Sequence, residues 1–259
     1  MAKESGRFNQ STIEQINRRT YSYAAIMRLY TDEKWLPSEA SVLLDYGGEI
    51  VSKRVLELGA GSGRIASVLQ NRAAYYCATD INPDMISTLC AVHLNINAKV
   101  ADARYLGEFQ DGSFDTVIFS FNGIDCLPFQ DRPKALSEIY RVLSVGGIFI
   151  HSTHNVAHAH LASNAPSLFN SGNSIVESLH RKWNRFRLSR FEFFSPEYAI
   201  VNDRALNHGL LNVYIKPDIH FAQMSEVGFS IEAVYERDGR KLQNWSQITD
   251  QWYYVVGRK

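Results

Sequence analysis

The sequence predicts a doubly wound α/β fold, an open and mostly parallel sheet with helices on both faces. Three observations carry that prediction. Short apolar runs alternate with helical segments between about residues 53 and 155. The first run ends in a glycine loop, Gly59-Ala60-Gly61-Ser62-Gly63. The next two end on carboxylates, Asp80 and Asp102, where the strand ends of such a sheet bind ligands.

Residues Ser11 to about Tyr46 read as helical, with Ile13, Ile16, Tyr23, Ile26 and Leu29 near helical spacing. Pro37 suits the first turn of a second helix there. The strand Arg54–Leu58 follows, then a helix bearing Ile65, Ala66, Val68 and Leu69. A second strand starts at Ala74 and stops at Asp80. Asn82-Pro83 opens a helix with Met85, Ile86, Leu89 and Val92 on one face. Strands are expected at Lys99–Ala101, Phe114–Phe119 and Ile148–Ser152, with a helix over Asp131–Leu143 ended by Gly146-Gly147. From Val156 to Ile215 the alternation stops, which predicts a helical or irregular insertion. A helix near Ile219–Val227 and strands Phe229–Tyr235 and Trp252–Val256 close the chain as an antiparallel hairpin. The implied parts are an N-terminal helical cap (1–50), a ligand-binding core (51–155), an insertion acting as a lid (156–215) and the rest of the core (216–259).

Composition narrows the partners. Lys plus Arg and Asp plus Glu both number 27, so no net field gathers a polyanion and nucleic acid is disfavoured. Cys77, Cys90 and Cys126 form no metal-ligand pair and suit a reducing compartment. The N-terminus lacks the apolar stretch of a secretory signal, and no apolar run is long enough to span a bilayer. A cytoplasmic protein without a membrane partner is the expectation.

The glycine loop alone allows several nucleotide-like cofactors, because it exposes the N–H groups of the next helix. Arg64 stands where the dinucleotide fingerprint wants a small residue, and no Gly-Lys-Ser/Thr follows. Asp80 can accept a ribose diol, and Asp102 followed by small Ala103 suits an adenine edge. With these residues in view, VLELGAGSGRIA (Val55 to Ala66) resembles the first motif of class I S-adenosylmethionine-dependent methyltransferases. Asp80, Asp102-Ala103 and the run from Ala135 to Asn155 are similar to later landmarks of that family. The resemblance implies a Rossmann-like seven-stranded sheet with an antiparallel last strand. It implies S-adenosyl-L-methionine as cofactor, with Gly59, Ala60 and Gly61 at its methionine portion, Asp80 at the ribose and Asp102 at the adenine. Glu57 would order the loop or meet the cofactor through water, while Ile81 and Met85 would pack on the adenine.

On the acceptor side, Phe121 can line the transfer site, and Asn122 and Asp125 can hold the acceptor or merely cap the next turn. His154, just past the fifth strand, is the best-placed base. His151 reads as a packed strand residue, and no metal site is expected from His154 and His158. Tyr21, Tyr23 or Tyr30 of the cap can reach the cofactor or acceptor. Cys126 reads as a buried structural thiol. Tyr198, Asn202, His208, Asn212 and Tyr214 can build a polar acceptor pocket, and the basic run His180–Arg190 can recognise an anion. The leading reading is methyl transfer to oxygen or nitrogen of a small molecule, which can be anionic. RNA or protein methylation through the basic run and a non-catalytic cofactor-binding scaffold are the alternatives.

Overall fold

The structure, a computed structural model, describes residues 10–22, 35–164, 175–203 and 205–259. Tyr23, Ile26, Leu29 and Tyr30 lie outside the described residues.

The core alternates as expected. It runs β1 (Arg54–Leu58), α3 (Ala66–Leu69), β2 (Tyr75–Asp80), α4 (Pro83–Val92), β3 (Ala98–Val100), β4 (Phe114–Phe119), α5 (Arg132–Val142) and β5 (Leu143–Asn155). Ahead of it stand α1 (Gln10–Tyr21) and α2 (Pro37–Tyr46), with Pro37 at the helix start. After the insertion come α8 (Pro217–Val227), β9 (Ser230–Glu236) and β10 (Trp252–Arg258). The strand order is β3-β2-β1-β4-β5, continued by β10 and β9. Strands β1 to β5 pair in parallel, and β10 is antiparallel to both neighbours. The order reverses between β1 and β4, so the ligand crevice falls above those two strands.

Period-two alternation divides the core between two layers. Leu56, Val117, Phe149 and Val255 face α5 and α8 with Leu136, Ile139 and Met224. Val55, Ile118, Ile150 and Tyr254 face the other way, onto Val42, Ile65, Leu69 and Leu89.

Two elements differ from expectation. The helix before β5 ends at Val142, and Gly146-Gly147 lies inside the long strand instead of terminating the helix. The insertion is also more regular than its sequence suggests. It holds α6 (Ala159–Asn164), α7 (Ile175–Ser189) and the strands β6 (Phe193–Phe194), β7 (Tyr198–Val201) and β8 (Asn212–Ile215). These three strands form an antiparallel ribbon that joins the main sheet, giving ten strands among the described residues. The junction is at the end of β5. Strand β4 pairs with β5 as far as His151, and β8 pairs from His154 onward, while β10 holds the opposite edge throughout. The ribbon of the insertion therefore takes the edge of β5 that β4 vacates.

Candidate active site

The glycine loop between β1 and α3 needs its glycines for two different reasons. Gly63 has φ +99°, and a Cβ there would lie 2.4 Å from Leu89 Cδ1. It lets the loop pack on α4. Gly61 has φ +56°, and a Cβ there would meet nothing within 4 Å. Its open side borders a cleft of about 250 Å³ lined by the loop and by the ends of β1, β2 and β4. All the residues assigned to a cofactor from sequence line this one cleft. They are Glu57, Gly59, Ala60 and Gly61 from β1 and its loop, Asp80, Ile81 and Met85 after β2, and Asp102, Ala103, Phe121 and Tyr21 around the rim.

Asp80 accepts hydrogen bonds from Gly61 N at 2.9 Å and Asn82 N at 2.8 Å, one to each oxygen. A carboxylate has about four acceptor sites, so capacity remains for a diol. Burial raises its pKa, and the two N–H donors oppose the rise. Asp102 is different. Its carboxylate takes four hydrogen bonds from Arg104, at 2.6–3.1 Å. Arg104 also pairs with Asp131 and with Glu14 of α1, which ties the cap to this rim. Asp102 therefore stands at the expected place with little acceptor capacity left for a ligand amino group.

Glu57 is buried at the cleft floor and accepts a hydrogen bond from Tyr76 Oη. Burial pushes its carboxyl from near 4.5 up to about 8, against the hydrogen bond from Tyr76 and the charge of Arg64. The folded state thus holds this proton more tightly than the unfolded chain does. The stability contribution is complete below pH 4.5 and is lost as pH rises towards 8. Glu57→Gln is expected to remove that slope, so its thermal midpoint should gain on the wild type between pH 5 and pH 8.5. A constant difference in melting scans across that range would refute the assignment.

Sequence reasoning placed Arg64 only as an obstacle to dinucleotide binding. In the structure it lines the cleft and forms a buried two-pronged pair with Glu39 of α2, at 2.5 and 2.7 Å. Glu39 also accepts from Ser120 Oγ and Tyr254 Oη. Burial acts to raise the Glu39 pKa, but the bonds and charge of Arg64 outweigh it and hold it below its ordinary value. This cluster locks α2 onto the glycine loop and the end of β4.

A second cavity, about 230 Å³, opens beside the first. Tyr21, Phe121 and Cys126 line both, so they mark the boundary between the two. Phe121 and Asn122 reach it through consecutive left-handed backbone conformations, φ +53° and +59°. That geometry is costly for Phe and is held by the structure around it, including Ser152 Oγ, which accepts from Asn122 N at 2.7 Å. Cys126 is only partly buried, not sealed in the core as its sequence context suggested. Burial of the thiol group itself pushes its pKa to about 12, so it stays a thiol.

His154 faces this second cavity, and Asp125 lies fully buried behind it. Asp125 Oδ2 accepts from His154 N at 2.7 Å and lies 2.8 Å from Nδ1. Its Oδ1 accepts from Arg132 Nη1 and Thr153 Oγ1 at 2.7 and 2.6 Å. Asp125 lines neither cavity and spends both oxygens on these partners, so no open side remains for an acceptor. With Nδ1–H donated to Asp125, Nε2 carries the lone pair, and Asn122 Nδ2 donates to it at 3.2 Å. Arg132, wholly buried, also donates to His220 Nδ1, whose Nε2 lies 2.7 Å from His151 Nε2. Burial, then the Arg132 charge, depresses both imidazoles well below 6.5, so they are neutral. His151 is indeed packed within the strand.

Of the residues proposed for a polar acceptor pocket, Asn212 lines the cavity and Tyr214 stacks on His154 at 4.4 Å. Asn202 instead binds the carbonyls of His208 and Leu210, His208 is buried beside it, and Tyr198 stacks on Phe129. His158 donates to Thr249 O, away from His154. Asp203, Gln251 and Trp252 line the cavity without having been foreseen. Gln251 and Trp252 lie at the start of the last strand, opposite His154, and Asp203 sits in a lid turn. No local pattern marks such positions. No lysine or arginine among the described residues lines this cavity.

Residues 55–147 match the family model described as a methyltransferase domain. The match takes in the glycine loop and the strand ends around the first cleft, and less than half of the chain. The demethylmenaquinone methyltransferase of Thermus thermophilus is 37% identical over 110 residues, which cover 40% of this chain. The chain spans about half the length of the curated relatives it matches, 48% in that case. Among solved structures, an S-adenosylmethionine-dependent methyltransferase from Mesorhizobium loti aligns with TM-score 0.57 at 18% identity, covering 86% of this chain and 100% of its own. The 1,6-didemethyltoxoflavin-N1-methyltransferase of Burkholderia thailandensis reaches 0.61 at 12% identity, covering 96% and 90%. At these identities the likeness shows the fold. The matched stretch thus runs from β1 to the middle of β5, and both the cap and the lid lie outside it.

Proposed function

We propose that the protein transfers a methyl group from S-adenosylmethionine to a small acceptor, with His154 as the general base and Asp125 as the residue that orients it. The observation that carries this reading is the Asp125–His154 pair facing a cavity that shares Tyr21, Phe121 and Cys126 with the cofactor cleft.

The cofactor reading rests on the open side of Gly61, on the spare acceptor capacity of Asp80 and on the match to a methyltransferase domain around them. When bound, S-adenosylmethionine supplies an electrophilic methyl group. The chain's own task is then alignment, exclusion of water and removal of a proton. Phe121 and Tyr21 close the boundary between cleft and cavity. His154 Nε2 takes the acceptor's proton, and Asp125 stabilises the imidazolium that results. Arg132 and Thr153 hold the other oxygen of Asp125 in place. An acceptor that must lose a proton, a hydroxyl or an acidic N–H, is what such a base serves. Asp203, Asn212 and Gln251 on the lining support an acceptor that makes hydrogen bonds. The basic run contributes nothing to the cavity lining.

The first test is calorimetric. The protein should bind S-adenosylmethionine, and Asp80→Ala should weaken it by at least about tenfold, the loss of one or two hydrogen bonds to a charged group. Unchanged affinity would overturn the assignment of the cleft. The second is turnover, measured as release of the demethylated cofactor across a panel of phenolic and heterocyclic N–H acceptors.

A further inference from the structure

Helix α7 carries a feature that the cavity does not use. Leu179, Trp183 and Phe186 are 60%, 55% and 83% exposed. Their i, i+4, i+7 spacing puts them on one stripe of the helix. Lys182 and Arg190 are exposed beside that stripe. Single exposed apolar residues occur elsewhere and mean little, but three large ones in one row are a patch. The opposite face of α7 is committed. Leu188 packs with Ile13, Ile200 and Leu211. Asn184 donates to Asn207 O, and Arg185 binds Glu192, Asn202 O and Ser163. The helix is therefore fixed with its apolar stripe outward.

Between His180 and Arg190 the chain has five lysines and arginines and no acid, in a protein whose formal net charge is zero overall. An apolar stripe flanked by cations is the pattern of a helix lying in the interface of an anionic bilayer. We propose that the outer face of α7 docks the protein on an anionic lipid surface, with Leu179, Trp183 and Phe186 entering the headgroup boundary and Lys182 and Arg190 meeting lipid phosphates. Charge complementarity selects this occupant. A second copy would bring the same cations face to face, where like charges repel. A nucleic acid would find no use for aliphatic Leu179 on a convex helix face. Among the described residues no helix is long and apolar enough to cross a membrane. Surface attachment needs no such helix. The proposal stands independently of methyl transfer.

The test is co-sedimentation of the full chain with vesicles of phosphatidylcholine, with and without phosphatidylglycerol, at low and high salt. Binding to the anionic vesicles is expected at low salt, weakening with salt. The triple variant Leu179→Ser, Trp183→Ser, Phe186→Ser should lose about tenfold or more in partitioning, with circular dichroism and S-adenosylmethionine affinity unchanged. Lys182→Gln with Arg190→Gln should abolish the preference for the anionic lipid. No vesicle binding at low salt would overturn the proposal. So would a dimer in light scattering that the triple variant dissolves, or binding to an RNA oligonucleotide without binding to vesicles.

Discussion

Asp125→Ala is expected to cost the fold about 3–5 kcal/mol, more than any other single change considered for this protein. The reason is what it leaves behind. Arg132 has no exposed surface, and Asp125 is the only carboxylate that pairs with it among the described residues. Its remaining partners are Ile124 O, Thr153 Oγ1 and His220, none of them charged to oppose it. Without Asp125 the guanidinium is a buried, uncompensated charge. At roughly 2–4 °C per kcal/mol for a chain of this size, the melting temperature should fall by about 10 °C. Arg132→Met in the same chain should restore a large part of the loss, since it removes the orphaned charge. If Asp125→Ala melts within a degree or two of the wild type, the buried pair is not what the geometry says it is.

His154→Ala is expected to do the reverse, sparing the fold and stopping the chemistry. His154 stacks on Tyr214 at the wall of the cavity, and its loss exposes no charge. Turnover should drop by about 10²–10⁴, the usual worth of a positioned base. S-adenosylmethionine affinity should stay as it was, because His154 does not line the cofactor cleft. Steady-state release of the demethylated cofactor, beside calorimetry on the same preparation, separates the two effects. Equal turnover would remove His154 from the mechanism and leave the acceptor with a different base or none.

The cofactor half of the molecule was legible because its signals are local. The turn from β1 into Gly59–Gly63 sits in a few consecutive residues, and Asp80 and Asp102 end their strands in plain sight. The short apolar runs of β4, β5 and β10 mark strands buried on both faces. The rest of the site is built from distant pieces. Glu39 and Arg64 are 25 residues apart, and nothing near either announces the other. Asp125 and His154 are 29 residues apart, and neither one's surroundings in the sequence announce their 2.8 Å contact. The lid strands escaped notice because β6 has two residues and β7 and β8 four each, too few to show a period. The full hydrogen-bond load on Asp102 also depends on Arg104 folding back across one residue, a conformation that spacing does not reveal.

The edge of β5 that passes from β4 to β8 bears on how such a protein can be remade. His154 sits at the hand-over, opposite Trp252 on one side and Tyr214 on the other. The ribbon that shapes the acceptor cavity is grafted there by a two-residue register, while the cofactor cleft lies wholly upstream. A foreign ribbon spliced between Asn155 and Pro217 would need to reproduce that short seam, the stacking of Tyr198 on Phe129, the Gln251–Tyr214 hydrogen bond and the contacts with the first helix. Chimeras cut at that seam would keep the first cleft and exchange one wall of the second cavity.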